Sequence, residues 1–372
     1  LDDKGEATYT ASAAGFASGK GTVRLSRSAI LMYAPLRAPV LVTTPAVSQR
    51  VTVETVLIGA TGKPLERQIT AGPVEVELIS SDPKVAIFTP SKITIPEADI
   101  SASTEFKPVG TGNITLSVKL PPGFSTPSEN ATLAARVDLP GLGIAGEIPL
   151  GKDLQTRGVV LLGEPAPKGG VDITLTSSDP SKMIVSAAKD KPGAASVTLH
   201  VPEGAMRMPY FLQALAGEGV VKYSASAPGY RERVAPVNLM PSGVLIAYAA
   251  HGAPDEAEYL RPTVKIDRPF IAYLGKPAEH VAVWTVFLDP QTRRGADMTA
   301  QALRPGMKVK VELASSEPAV GTIPASVILD DRAESKIVEF TALKAGETVL
   351  SMKPPEGFTP ASNAQTINVT VK

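Results

Sequence analysis

Nucleophilic, acid–base and metal chemistry each need particular side chains at workable spacings, and this sequence holds few of them. There is no Cys, which removes thiolate nucleophiles, thiolate metal sites and disulfides together. The three His, at positions 200, 251 and 280, fall in no metal-ligand spacing such as H-E-x-x-H. His200 lies in an alternating stretch and reads as a surface or edge residue. No Gly-x-Ser-x-Gly elbow is present. The segment from Gly15 to Gly21 has a Gly-Lys step that weakly resembles a phosphate loop, but the strand-like TVRL follows it where a helix should open. The acidic pairs Asp2-Asp3 and Asp330-Asp331 offer too few oxygens for a calcium cage of about six to eight ligands and read as solvated turns. No pair of catalytic groups recurs at a usable spacing, so the expectation is a protein that is not an enzyme and carries no cofactor or metal.

Two kinds of residue stand out from this background. Gly followed by an aromatic occurs as Gly15-Phe16, Gly123-Phe124, Gly229-Tyr230 and Gly357-Phe358. Such a ring either plugs the open end of a sandwich at the corner between two late strands or sits exposed to bind sugar. Its recurrence in one register favours the plug. Trp284 is the lone Trp, in HVAVWTVFL, where alternation sets His280, Ala282, Trp284 and Val286 opposite Val281, Val283, Thr285 and Phe287. It is the candidate ligand platform, with core or interdomain packing as the competing role.

The elements that must hold these residues are written three times. VEVELISSDP (74–83), VDITLTSSDP (171–180) and VKVELASSEP (309–318) are alternating strands that end in Ser-Ser-acid-Pro, a turn whose side chains can bond their own backbone. Val74, Val76 and Leu78 share one face while Glu75 and Glu77 share the other, so a single face is meant for a core. A second block aligns Phe106, Phe211 and Phe340. A third runs a strand into the Gly-aromatic pair, and an alternating run closes each copy at 131–137, 234–240 and 365–371. The first two copies lie about 100 residues apart, the size of one immunoglobulin-type sandwich and far above a solenoid repeat. The third copy follows at a wider spacing, the surplus falling in 241–275 and in the loop 289–305. The second copy has a longer loop around 189–193.

Composition agrees with many short strands: 31 Gly and 34 Pro in 372 residues, 43% hydrophobic and only 5% aromatic. Lys plus Arg and Asp plus Glu both number 37, which leaves no electrostatic footprint for nucleic acid or an anionic membrane. No apolar run reaches the roughly 18 residues of a membrane span. Asn113, Asn130 and Asn368 open formal glycosylation triplets at positions the repeats do not share.

The expected fold is all-β: tandem antiparallel immunoglobulin-like sandwiches in an elongated array, with Val74, Val76, Leu78, Phe106, Leu116 and Val118 inward in the first whole domain. Residues 1–35 match the end of a repeat, Ala7, Tyr9 and Ala11 answering Val221, Tyr223 and Ala225, and form the C-terminal part of an incomplete domain. Whole domains follow at 36–139, 140–242 and 243–372, the last with inserted loops. The start of VLIAYAAHG (244–252) reads as a continuation of the second domain's last strand, and ADMTAQALRP (296–305) is the best helical candidate, at one or two turns. A lone two-stranded hairpin is marginal in water. The opening half-domain is therefore expected to be completed by upstream sequence of a longer chain or by a neighbouring subunit.

The block TRGVVLLGEPAPKGGVDITLTSSDP, with its following ASVTL strand and closing Ala-Pro-Gly-Tyr, resembles the bacterial immunoglobulin-like (Big-type) repeats of large secreted and cell-surface proteins. The first and third copies depart from the pattern, with Ala71-Gly72-Pro73 and Pro305-Gly306-Met307 in place of Gly-Gly. The resemblance implies a stalk, spacer or filament segment of a long bacterial surface or extracellular protein, whose partners are neighbouring domains or subunits. The alternative is an adhesive module for carbohydrate centred on Trp284 or the 289–305 loop.

Overall fold

The computed structural model describes residues 5–249, 264–266, 268–295, 300–331 and 334–372. These form two compact units, Leu1–Pro140 and Gly141–Lys372. The first holds a two-stranded hairpin and one sandwich; the second holds two sandwiches. Among the described residues no helix is long and apolar enough to cross a membrane.

Each sandwich follows one plan. In the first, one sheet orders Arg27–Tyr33, Gln49–Ile58, Ser101–Pro108 and Ala86–Thr89, and the other orders Val40–Thr43, Thr132–Val137, Gly112–Lys119, Val74–Ser80 and Lys92–Ile95. The second and third sandwiches repeat this order, closing with the antiparallel pairs Val220–Ser226 with Arg233–Met240 and Gly346–Lys353 with Thr366–Val371. The arrangement is not purely antiparallel. The short edge strands Val40–Thr43, Ile148–Gly151 and Phe270–Ala272 run parallel to the closing strand beside them. Each is reached by a chain that crosses from one sheet to the other, which a hairpin turn cannot do.

The alternating strands deliver the expected core. Val76, Leu78, Phe106 and Leu116 are buried, and Val74 and Val118 pack at its margin. In the second sandwich, however, Leu212 rather than Phe211 holds the place of Phe106, opposite Val185 as Phe106 lies opposite Phe88. Phe211 is half-buried on the other face. Leu212 follows Val201 at the same spacing as Phe106 follows Ile95, both of which pair with the first residue of the repeated strand, so Phe211 falls one step out of that frame and onto the other face.

The Ser-Ser-acid-Pro turn owes its repetition to its second Ser. The hydroxyls of Ser81, Ser178 and Ser316 accept the backbone N–H of Thr115, Lys222 and Val349 at 3.0, 3.1 and 2.9 Å. The same residues' own N–H groups donate to those partners' carbonyls. The turn is thus stitched to the facing strand at the rim of the sheet. In the first two copies the acid accepts the N–H two residues on, from Lys84 to Asp82 and from Ser181 to Asp179. The Ser181 hydroxyl also donates to Asp179 and holds that carboxyl below its ordinary value. Ser178→Ala is expected to cost about 0.5–1.5 kcal/mol in urea unfolding, the net worth of one such bond.

Two segments fall elsewhere than their sequence suggests. Arg27–Tyr33, read with the opening partial domain, pairs along its length with Gln49–Ile58 and is the first strand of the first sandwich. Ser242–Ala249 does not extend the second sandwich. It pairs residue for residue with residues 280–287 and opens the third, because Pro241 breaks the run after Met240 and apolar residues on both faces suit a strand buried on both sides.

Candidate functional site at the junction of the second and third sandwiches

The described residues hold no group of three or more side chains able to hold a metal ion. His200 lies exposed and bonds Asp172 across the strand pair, Nδ1 to Oδ1 at 2.8 Å. His280 is half-buried in its strand; His251 and the Asp2-Asp3 pair lie outside the described residues. Asp331 accepts the Gly306 N–H at 2.8 Å, just beyond the end of the strand pair where Lys308 meets Asp330.

Trp284 does not offer a platform. It is 0% exposed, packed with Leu245, Ala247, Ala282, Val286 and Ala364 on the outer face of its sheet. Alternation correctly separates it from the sandwich core, but that outer face is itself covered, by Ala300 of the inserted loop and by Ala361 and Ala364 of the connection before the closing strand. Of the Gly-aromatic rings, Phe358 is buried, while Phe124 and Tyr230 are half-buried against the cores of their own sandwiches. Phe16 is 80% exposed on the hairpin, where no opposite sheet stands behind it.

The described residues of the loop 289–305 build an extended polar site. Asp289 starts it: its carboxylate accepts the N–H groups of Thr292 at 2.6 Å and Gln291 at 3.0 Å and the Thr292 hydroxyl at 2.8 Å. These bonds, the Thr292 N–H first, hold the carboxyl below its ordinary value. Gly295 then lies flat on the sheet, where a Cβ would come within 2.9 Å of the Leu245 and Val286 side chains. It exchanges bonds with Asn363, N–H to Oδ1 at 3.0 Å and Nδ2 to carbonyl at 2.9 Å.

Beyond Gly295 the loop reaches the second sandwich. The helical candidate there is overturned as far as it is described, since Ala302–Leu303 is a strand that pairs antiparallel with Leu154 and Gln155; residues 296–299 lie outside the described residues. Buried Gln301 binds both groups of the backbone it meets, Nε2 to the Pro149 carbonyl at 2.8 Å and Oε1 from the Gly151 N–H at 2.9 Å. Its own carbonyl accepts the Thr285 hydroxyl at 2.6 Å. Gln155 Nε2 donates to the carbonyls of Leu303 at 3.0 Å and Lys189 at 3.1 Å. Gln213 Nε2 reaches Gln155 Oε1 at 3.4 Å and the Lys191 carbonyl at 2.9 Å, and its Oε1 accepts the Gly193 N–H at 2.8 Å. At the rim, Arg304 pairs with Asp153 at 3.0 Å and donates its N–H to the Asp153 carbonyl at 3.0 Å.

Buried amides on fixed partners define one register and one orientation, because each unmade bond would strand a desolvated group. The apolar side of the junction agrees. Leu154, first residue of a second-sandwich strand, is 0% exposed and belongs to the core of the third sandwich beside Leu303. Sequence reasoning located both insertions, at 189–193 and 289–305, but did not join them. Gln155 and Gln213 are where they meet, and a glutamine within an apolar strand gives no signal of its distant partner.

No protein-family model matches this chain, and no curated protein matches it. Among solved structures it is similar to a β-glycosidase from Bacteroides vulgatus, at 12% identity and TM-score 0.21 over 57% of this chain and 25% of that one. It is similar to Escherichia coli α-2-macroglobulin activated by porcine elastase, at 10% identity and TM-score 0.22 over 95% and 34%. A third is a glycosyl hydrolase family 2 member from Bacteroides cellulosilyticus DSM 14838, at 12% identity and TM-score 0.23 over 63% and 29%. This chain thus spans between a quarter and about a third of those proteins' lengths. Likeness at such scores says nothing of activity, and what the strand pairing establishes is the fold: tandem β-sandwiches of immunoglobulin-like plan.

Proposed function

We propose that this chain is a non-enzymatic structural segment, a stalk, spacer or filament piece of a long bacterial surface or extracellular protein of the Big-type repeat kind. The observation that supports this most is the junction of the second and third sandwiches. There the inserted loop 289–305 is spent on fixing two domains to one another. A spacer that sets distance needs such fixed joints, because domains on free linkers reorient by default. The carbohydrate-binding alternative loses its two anchors, since Trp284 is buried and the 289–305 loop is engaged with the second sandwich.

The reading is tested by paramagnetic labels, one on each of these two sandwiches, in the 372-residue chain. A single inter-label distance with a narrow distribution is expected, and Gln301→Ala with Arg304→Ala should broaden it. A broad distribution in the parent chain would remove the support for a fixed spacer.

A further inference from the structure

The hairpin of Gly5–Ala11 and Gly19–Leu25 is unlike every other strand pair here, because both of its faces are open. Register places Gly5, Ala7, Tyr9 and Ala11 with Gly19, Gly21, Val23 and Leu25 on one face, and Glu6, Thr8, Thr10, Lys20, Thr22 and Arg24 on the other. One side is therefore apolar yet wet: Tyr9 is 58% exposed and Val23 49%.

The same hairpin exists in buried form in the second sandwich. Ala7 opposite Val23 and Tyr9 opposite Gly21 reproduce Val221 opposite Val237 and Tyr223 opposite Ala235. The connecting turns agree as well. Gly15 and Gly229 have φ of 85° and 79°, and Phe16 and Tyr230 each donate their N–H to the carbonyl three residues back, at 3.1 and 3.2 Å. In the second sandwich the apolar residues of this face are at most 4% exposed. The Tyr223 hydroxyl there bonds the Ala145 carbonyl and Tyr210. What covers them is the facing sheet, with Val171–Ser177 antiparallel along one edge and Ile148–Gly151 parallel along the other.

The geometry points to one occupant: the earlier strands of a further immunoglobulin-type sandwich, for which Gly5–Leu25 is the preformed closing hairpin, carried on the same polypeptide N-terminal to the hairpin. A second copy of the hairpin is too small a partner. Seven-residue strands two abreast present roughly 240 Å² a face, far below the roughly 800 Å² per partner of a stable interface. Covalent continuity is favoured because each complete sandwich feeds its closing hairpin directly from the strand before it, Pro108 to Gly112, Ala214 to Val220 and Ala342 to Gly346. A tether of that length keeps the hairpin at a high effective concentration over its seat. This inference does not rest on the spacer reading.

A transplant tests it. In the 372-residue chain, residues 219–239 are replaced by residues 5–25, an exchange of equal length. The second sandwich is then followed by hydrogen exchange at Leu154–Leu162 and Ser196–Val201. Retained protection is expected, at least about a hundredfold above the same transplant carrying Tyr9→Asp and Val23→Asp. Because Ala7 fills less space than Val221, the transplant is also made with Ala7→Val. If neither form is better protected than the Asp-bearing one, the hairpin does not fit such a seat and the inference falls. Sedimentation of the parent chain covers the other source. A monomer at all concentrations is expected, and self-association abolished by Tyr9→Asp with Val23→Asp would assign the face to a second copy and overturn it.

Discussion

Leu154→Ala is expected to split the unfolding of Gly141–Lys372. In the parent chain the two sandwiches of this unit should melt together in calorimetry. The side chain of Leu154 leaves one sandwich and completes the core of the other, among Leu303, Val283 and Phe340 at 0% exposure. Truncating a buried Leu costs about 2–5 kcal/mol, through lost burial and an unfilled cavity. Here much of that cost falls on the coupling between domains, because the residue belongs to the second sandwich by chain and to the third by contact. The expected record is two transitions, the third sandwich melting first. Gln301→Ala should act in the same direction at about 1–3 kcal/mol, since it leaves the Pro149 carbonyl and the Gly151 N–H desolvated without their partner. A single unshifted transition in both variants would mean that the junction does not couple the domains.

Trp284→Ala should destabilise the third sandwich by about 3–5 kcal/mol, as removal of a fully buried large aromatic does, and should leave any glycan-array signal of the chain unchanged. For a domain of this size the melting point falls by roughly 10–20 °C. The reason is the second apolar layer. Leu245, Ala282, Trp284 and Val286 back the sheet from outside, and Gly295, Ala300, Ala361 and Ala364 rest on them. Trp284→Phe keeps most of that packing and should lose far less. Reproducible sugar binding that vanishes in the Phe variant while the melting point holds would contradict this assignment.

Much of this protein was legible in its residues because the relevant physics is local. Period-two alternation in Val74–Ser80, Val171–Ser177 and Lys308–Ser315 fixed which face is buried, and Ser81, Ser178 and Ser316 marked turns whose hydrogen bonds stay within one sheet rim. Repetition of that stretch set the all-β, tandem organisation. The match of Ala7, Tyr9 and Ala11 to Val221, Tyr223 and Ala225 identified the hairpin before its register could be seen.

What only tertiary structure decided depends on partners far away in sequence. Alternation assigns a face to Trp284, yet it cannot say that an insertion folds back over that face. Phe211 and Leu212 differ by one step along a strand, and the register that turns Leu212 inward is set by the whole strand pair. Gln155, Gln213 and Gln301 look alike in sequence to glutamines facing water. They become a junction only because two separate insertions bring backbone carbonyls and N–H groups within reach, across as many as 152 positions of chain. A hydrogen bond between distant residues leaves no periodic trace, so the chain could announce its sandwiches but not the joint that fixes two of them together.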